Sequence, residues 1–270
     1  MIEQPAPTPP PPADDSRVAS IAWAVAVIVV ALVVALIAWL ALGQDRSGQQ
    51  AAPAAPSVPV QEQQVEPQQP AQPEAQEPSP EVAALLLELQ RRDPADTMAV
   101  GRVDAPVVMI EYLDYRCPYC ARFALEVRPG LQELVDEGVL RIEYRDLVLF
   151  DEPSRQAAVA TRAAAAQDRL APYQEAVFGL SREGHGEVDR QVLLDLAEQV
   201  GVPDLAAFEA ALDDPELAAA VDADTAEARS LGLSSTPTFI VNTRVVQGVQ
   251  PADYFERLVA QERDRGLVSG

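Results

Sequence analysis

The alternation of apolar and polar residues divides the chain into four segments. Residues 1–20 are rich in proline and predict a disordered tail. Residues 21–42 carry no charge, and as a helix they would span about 33 Å, enough for the hydrocarbon core of a bilayer. This run is longer than the core of a cleaved signal peptide, so we predict an uncleaved transmembrane anchor. Residues 43–80, rich in Gln, Pro, Ala and Glu, predict a linker.

The fourth segment, residues 81–270, has the patterning of a folded domain. Strands are predicted at residues 107–113, 139–150, 237–242 and 244–248, with one further short strand between residues 93 and 106. Helices are predicted at residues 82–92, 118–136 and 251–265, and throughout a block at about 153–231 with breaks near Gly184–Gly186, Gly201–Pro203 and Asp213–Pro215. Asn242 and Thr243 predict a tight turn between the last two strands. This order predicts an α/β domain with a helical insertion.

The charge of the chain excludes one class of partner. The net charge is −22, and arginine supplies all 20 basic residues. Contacts with phosphate need clustered cations, and the sequence has no basic patch. We therefore expect no nucleic-acid partner, and the acidic surface favours solubility.

Both cysteines of the chain lie in the stretch CPYC, Cys117 to Cys120. Structural zinc needs about four ligands, and the one histidine, His185, lies in a predicted loop, so we expect no metal site. A structural disulfide across two residues would close almost no loop and add little stability. These residues predict a dithiol that cycles between thiol and disulfide, with Cu(I) binding by the two thiolates as an alternative.

The surroundings of the pair suggest a role for each sulfur. Cys117 lies where a strand ends and a helix begins, and the N–H groups of a helix N-terminus favour a thiolate. Cys120 lies one turn into the helix, where we expect deeper burial. Glu111 interrupts the apolar strand before them, and its burial would raise its pKa and suit it to relay a proton to or from Cys120. The alternative is that Glu111 faces solvent on an edge strand.

Three stretches resemble the DsbA-like thiol:disulfide oxidoreductases. DAPVVMIEYLDYRCPYCARF is similar to the active-site segment of that family, and GLSSTPTFIVN is similar to its cis-proline loop. VVQGVQPADYFERLV resembles its closing strand and helix. The resemblance covers about Thr97 to Val259 and implies a thioredoxin fold with an inserted helical domain.

The resemblance also implies roles for individual residues. Cys117 would be the nucleophile, Cys120 the resolving cysteine and Glu111 the buried acid. A cis peptide bond is expected between Thr236 and Pro237, in a loop that faces the dithiol and pairs its backbone with the substrate. The residues expected to bind substrate are Thr236, Pro237, Pro118 and Tyr119. The most oxidising members of the family carry a histidine between the cysteines, so the pair Pro118-Tyr119 predicts a milder oxidant.

These features predict a membrane-tethered thiol:disulfide oxidoreductase without a cofactor. Arg17 and Arg46 flank the anchor equally, but oxidising chemistry belongs outside the cytoplasm, so we expect a cytoplasmic N-terminus and an extracytoplasmic domain. The expected activity is disulfide donation to reduced or misoxidised extracytoplasmic proteins, with a membrane redox partner that resets the dithiol. The alternatives are a tethered reductase or isomerase, and a Cu(I)-handling protein.

Overall fold

The computed structural model describes residues 78–268. The predicted tail and anchor, and all but the last residues of the predicted linker, lie outside this range. Within it, no helix combines the length and apolar character needed to cross a membrane. The strands are β1 (Ala99–Val100), β2 (Val107–Leu113), β3 (Leu140–Asp146), β4 (Thr238–Val241) and β5 (Arg244–Gln247). The helices are α1 (Pro80–Glu88), α2 (Pro118–Arg122), α3 (Gln132–Asp136), α4 (Asp151–Ala165), α5 (Leu170–Gly179), α6 (Arg190–Gln199), α7 (Leu205–Ala211), α8 (Pro215–Ser230) and α9 (Ala252–Val268).

The described strands form one mixed sheet in the order β1-β3-β2-β4-β5. β2 and β3 are parallel, whereas β1 runs antiparallel to β3, β4 to β2, and β5 to β4. All seven side chains of β2 are buried, because the strand is central and both faces of the sheet are covered. The prediction of a buried strand at residues 107–113 is confirmed, and so is the hairpin between β4 and β5.

The two faces of β2 belong to different parts of the core. Met109 and Leu113 contribute to the larger apolar cluster, and we call the face that they share with Glu111 the dithiol face, since this cluster also contains both cysteines. The alternate residues, including Ile110 and Tyr112, belong to a smaller cluster on the opposite face. That opposite face packs against α1 and α8 through residues that include Leu86 and Ala228.

The helix predicted at residues 118–136 is interrupted. After α2 the chain makes a π-helical turn from Phe123 to Val127 and a 3₁₀ turn from Arg128 to Leu131, and only then continues as α3. Pro129 has no N–H to donate within a regular helix, which explains why the hydrogen-bond pattern changes at this point.

Helices α4 to α8 form the insertion between β3 and β4, as predicted. The predicted breaks are present, and the helices after them begin with aspartate caps: Asp189, Asp204 and Asp214 each accept a backbone N–H of the first turn. One break, at residues 166–169, was not predicted. Asp168 adopts a positive φ of 59° there, which ends α4 before α5 starts.

Two predicted elements are shorter in the structure because carboxylates capture the backbone at their ends. The first helix ends at Glu88 and not at residue 92, since the N–H groups of Arg91 and Arg92 donate to the Glu143 carboxylate at 3.0 and 2.8 Å. β3 ends at Asp146 and not at residue 150. The N–H of Leu147 still donates to the Leu113 carbonyl of β2, but the N–H groups of Leu149 and Phe150 donate to the Asp114 carboxylate, at 2.7 Å for Leu149.

Candidate active site

Cys117 lies at the junction between β2 and the helical segment, as predicted. It is the N-cap residue of α2, with extended backbone angles of −80° and 119°, and Pro118 follows as the first helical residue. The N–H of Cys117 donates to the Asp114 carbonyl at 3.1 Å, which closes the turn before the helix. Both cysteines are free thiols, with exposed fractions of 3% for Cys117 and 0% for Cys120.

The two thiols have opposite electrostatic surroundings. The pKa of Cys117 is lowered to about 6, although burial opposes this change. The groups that lower it are the Cys120 thiol, the Thr236 side chain and the N–H groups of Cys120 and Tyr119. Burial raises the pKa of Cys120 well above its ordinary value, and the neighbouring Cys117 adds to the rise. At neutral pH the pair therefore consists of a Cys117 thiolate and a Cys120 thiol.

The loop before β4 packs against the dithiol. The peptide bond between Thr236 and Pro237 is cis, as the resemblance implied. The Cys117 sulfur lies 3.4 Å from the Thr236 carbonyl oxygen, and in its protonated form the thiol donates to that oxygen. Two further contacts fix the loop: the Thr238 hydroxyl donates to the Ser235 carbonyl at 2.7 Å, and the N–H of Gly248 donates to the Pro237 carbonyl at 2.8 Å.

Pro118 and Tyr119 form part of the protein surface beside the dithiol. Tyr119 is 63% exposed, the most exposed large apolar side chain among the described residues. Together with Arg122 and Arg182 the two residues line a surface groove of about 360 Å³. The residues expected to bind substrate therefore surround Cys117 on two sides, the Pro118-Tyr119 dipeptide on one and the Thr236-Pro237 loop on the other.

Glu111 is fully buried on the dithiol face, which excludes the edge-strand alternative. Its neighbours in the sheet are Tyr144 on β3 and Phe239 on β4. Within residues 78–268, neither carboxylate oxygen has a hydrogen-bond partner. Burial raises the pKa of Glu111 to about 7, and the positive charge of Arg128 opposes that rise. Glu111 is thus a carboxyl group that changes charge near neutral pH.

Asp114 is a site residue that the sequence interpretation missed. Its carboxylate accepts the N–H of Arg116 at 2.8 Å, the Ser154 hydroxyl at 2.7 Å and the N–H of Leu149 at 2.7 Å. It therefore ties the turn before Cys117 to the start of the helical insertion. An aspartate directly after a strand and just before a tight turn was the available signal, since such side chains often bond to nearby backbone groups.

His185 also contacts the segment before Cys117. Its Nδ1 lies 2.8 Å from the Arg116 carbonyl oxygen, and its ring packs against Phe150 with centroids 4.0 Å apart. The predicted loop position is confirmed. In the described part of the chain, no group of three or more His, Cys, Asp or Glu side chains is arranged to hold a metal ion.

A comparison with known families matches this architecture. A family model described as thioredoxin covers residues 94–261, which include all the strands and both cysteines. The chain belongs to the thioredoxin family. Its relatives within that family include the disulfide bond formation protein D of Bacillus subtilis, 26% identical over 167 residues, which cover 60% of this chain and 75% of that protein.

This thioredoxin-family chain is also similar to solved structures of DsbA proteins. It matches the oxidised BdbD of Bacillus subtilis with a TM-score of 0.57 and 25% identity, covering 62% of this chain and 92% of that one. A variant of α-DsbA1 from Wolbachia pipientis matches with a TM-score of 0.59 and 25% identity, covering 70% and 98%. The chain is a DsbA-like thiol:disulfide oxidoreductase.

A different set of relatives has this domain as a small part of a longer protein. The Na⁺/H⁺ antiporter NhaA 1 of Salinispora arenicola is 33% identical over 153 residues, which cover 56% of this chain and 22% of the antiporter. Thioredoxin-family domains similar to this one therefore also occur within proteins named as antiporters.

Proposed function

We propose that this protein donates its Cys117–Cys120 disulfide to the thiols of extracytoplasmic proteins. The observation that carries the proposal is the inequality of the two sulfurs. Cys117 is held as a thiolate by a pKa of about 6, whereas the pKa of Cys120 is raised by burial. A stable Cys117 thiolate leaves readily from a mixed disulfide and makes the protein disulfide the better oxidant.

The proposed reaction has two exchange steps. A substrate thiolate attacks the Cys117 sulfur, forms a mixed disulfide, and breaks the Cys117–Cys120 bond. Cys120 leaves with the electron pair and takes a proton. A second substrate thiolate then attacks the substrate sulfur of the mixed disulfide, and Cys117 leaves as a thiolate. The substrate dithiol is oxidised to a disulfide and the protein is reduced to its dithiol, which a membrane redox partner must oxidise again.

Glu111 is the proposed proton donor and acceptor for Cys120. When the protein disulfide opens, Cys120 leaves as a thiolate with a raised pKa and needs a proton. Glu111 is protonated about half the time near pH 7, which suits it to both directions of transfer. No hydrogen bond joins the two groups directly among the described residues, so we assign the transfer to a bridging water.

Substrate binding is assigned to the two surfaces that surround Cys117. The exposed Tyr119 ring and its neighbour Pro118 would contact substrate side chains along the groove. The loop at Thr236 and Pro237 would pair its backbone with an extended substrate segment, as strand addition allows.

An equilibrium with glutathione tests the direction of the reaction. Thioredoxin, with a cysteine pKa of about 7, has a potential near −270 mV, and DsbA, with about 3.5, a potential near −120 mV. Because the pKa of Cys117 lies between these values at about 6, we expect an intermediate potential. A potential at or below about −270 mV would contradict disulfide donation and favour a reductase.

The roles of the two cysteines are tested by trapping. Cys120→Ser should accumulate mixed disulfides with disulfide-containing peptides, because the Cys117 thiolate still attacks the peptide disulfide and no Cys120 thiol resolves the product. Cys117→Ser should neither oxidise reduced peptides nor form adducts with disulfide-containing ones. Adducts on the Cys117→Ser protein alone would reverse the assignment.

We also propose that residues 21–42 anchor the protein in the membrane, with residues 1–20 cytoplasmic, residues 43–80 as a tether, and the catalytic domain outside. The support comes from the uncharged run of the sequence and from the compartment in which oxidising chemistry operates. A reporter active only outside the cytoplasm, fused after Gly270, should be active. Release of a shortened soluble form from membranes would show that residues 21–42 are a cleaved signal.

A further inference from the structure

Arg128 lies on the dithiol face without a carboxylate bound to it. Its guanidinium donates to the Gln174 side-chain oxygen at 3.0 Å and sits over the Tyr144 ring, 5.3 Å from the ring centroid. No ion pair to Arg128 is found among residues 78–268, although most arginines in this range have one. A half-buried cation held by an amide and an aromatic ring leaves its charge available to act on other groups.

Tyr144 on β3 lies between this cation and Glu111. Tyr144 and Glu111 are direct neighbours on the parallel strands β3 and β2, so their side chains share the dithiol face. Arg128 packs over Tyr144 on that same face. The orphaned Glu111 carboxylate and the Arg128 guanidinium therefore have one tyrosine ring as their common neighbour.

The interrupted helix explains how Arg128 reaches this position. The π-helical turn from Phe123 to Val127 ends in a hydrogen bond from the N–H of Arg128 to the Phe123 carbonyl. Such wide turns are frequent at functional sites, because they re-aim the side chains that follow. Here the turn lies between the cysteines of α2 and Arg128, on the same continuous segment.

We propose that Arg128 is a positioning residue for the exchange reaction, whose charge favours the ionised form of Glu111, the form that accepts the proton of Cys120. This inference rests on the proposed function of Glu111 as the proton relay. In the described part of the chain, Arg128 makes no hydrogen bond to either sulfur.

The balance of the step shows why the charge matters. In the resolving direction, the Cys120 thiol gives its proton through water to the Glu111 carboxylate, which becomes a carboxylic acid. The Cys120 thiolate then attacks the Cys117 sulfur of a mixed disulfide, the Cys117–Cys120 bond forms, and the other thiolate leaves. Only the ionised form of Glu111 can accept the proton, so a nearby cation that favours this form raises the rate.

The other groups around Glu111 do not supply that charge. Its neighbours on the adjacent strands are Tyr144 and Phe239, and the apolar cluster on the dithiol face also contains Cys117, Cys120, Phe123 and Tyr115. The Glu175 side chain acts on Arg128, and burial raises the pKa values of Tyr115 and Tyr144. Arg128, Tyr144 and Glu175 also line a surface cavity of about 340 Å³, which gives water access to the guanidinium side of the relay.

The experiment separates attack by Cys117 from resolution by Cys120. The reduced protein is mixed with an aromatic disulfide that releases a coloured thiolate, and two equivalents appear in sequence. The second equivalent reports resolution, during which Cys117 is part of a disulfide and does not titrate. Its rate is measured from pH 5 to pH 9 in the wild type and in the variants R128M, R128Q, R128K, E111Q and E111Q/R128M, with R190M as a control. Arg190 is an exposed arginine of the insertion that pairs with Asp213.

In the wild type, the rate of the second phase should fall as the pH drops through about 7, where Glu111 becomes protonated. We call this fall in rate the acid limb. R128M and R128Q should move it upward by about one pH unit, the usual effect of losing an opposite charge. R128K should restore it and R190M should leave it unchanged. In the E111Q background, R128M should cause no further shift. An unchanged limb in both uncharged variants overturns the proposal, and so does an equal shift in the E111Q background.

Failure of the proposed function gives a different pattern. If E111Q alone leaves the limb of the wild type in place, Glu111 is not the relay, and the assignment of Arg128 falls with it. If the limb follows Glu111 but not Arg128, the proposed function stands and only this inference is wrong. Circular dichroism checks that each variant is folded, and R128Q keeps a polar partner for Gln174 in case R128M is not.

Discussion

Two buried glutamates on neighbouring strands have opposite surroundings. Glu111 on β2 and Glu143 on β3 are both 0% exposed, but Glu143 lies beside Ile110 on the opposite face of the sheet. Its carboxylate accepts hydrogen bonds from two backbone N–H groups and two guanidinium groups, those of Arg91, Arg92, Arg141 and Arg145. Burial raises the pKa of Glu143, but these partners outweigh it and lower the pKa below its ordinary value.

The difference separates a structural carboxylate from a reactive one. Glu143 stays charged and holds the segment after α1 against β3, so its partners are part of the fold. Glu111 has no such donors, and its pKa of about 7 leaves it poised between its two forms. A buried carboxyl without partners costs stability, and it persists here on the face that carries the dithiol.

The largest effect is expected from Glu143→Gln. The substitution removes the charge that compensates the buried guanidinium groups of Arg141 and Arg145, and should cost about 3–5 kcal/mol of unfolding free energy. Urea unfolding at pH 7 measures this loss. The control is Glu126→Gln, an exposed carboxylate 3.6 Å from Arg122, which should cost less than about 1 kcal/mol. Equal losses in the two variants would mean that the Glu143 contacts contribute little.

Glu111→Gln should change how stability depends on pH. The unfolded chain releases this proton near pH 4.5, whereas the folded protein holds it up to about pH 7. Between these values the folded state binds one more proton, so the wild type loses stability as the pH rises, by about 3 kcal/mol in total. The loss is complete above the folded-state pKa.

Urea unfolding of the wild type and Glu111→Gln at pH 4.5 and pH 8 isolates this contribution, because other titrating groups cancel in the difference. The unfolding free energy of the variant, relative to that of the wild type, should rise by about 3 kcal/mol from pH 4.5 to pH 8. A constant difference would show that Glu111 has an ordinary pKa in the folded protein.

The same substitution should slow one chemical step. At pH 7, Glu111→Gln should reduce the rate of resolution by Cys120 about 100-fold, since it removes a proton acceptor, and leave the attack by Cys117 nearly unchanged. The two phases of the reaction with an aromatic disulfide report the two steps. Loss of both phases to the same extent would point to a distorted site and not to a missing relay.

The smallest effect concerns a hydrogen bond on the opposite face. The hydroxyl of Tyr112 donates to Glu227 at 2.8 Å, and Tyr112→Phe should cost about 1 kcal/mol of unfolding free energy without changing the rate of either step. Tyr119→Phe, at an exposed position, is the matched control for stability. A changed resolution rate in Tyr112→Phe would show that the two faces are coupled.

Local patterns predicted the elements of the fold more completely than the contacts between them. The strand at residues 107–113 was predicted with its observed bounds, because a run of branched apolar residues buried on both faces is a local signal. The ends of α1 and β3 were not, because Glu143 and Asp114 decide them. Glu143 captures backbone groups 51 and 52 residues earlier in the chain, and no local pattern carries such information.

For the candidate site too, features that depend on neighbouring residues were predicted, and features that depend on distant contacts were not. The position of Cys117 at a helix N-terminus and the burial of Glu111 followed from neighbouring residues, and the cis bond before Pro237 from the family resemblance. The place of Arg128 depends on a π-helical turn and on Gln174, 46 residues away. A periodic helix pattern does not reveal such a turn, so the predicted helix at residues 118–136 included Arg128 without assigning it a role.

The contrast between the two glutamates is tested most directly by their own titration. Carboxyl ¹³C NMR of the reduced protein, with resonances assigned through Glu111→Gln and Glu143→Gln, gives both pKa values in one experiment. We expect Glu111 to titrate near pH 7 and Glu143 to remain ionised to below pH 4.5. A Glu111 resonance that titrates near pH 4.5, or a Glu143 resonance that titrates near neutral pH, would contradict the division of the sheet into a reactive and a structural face.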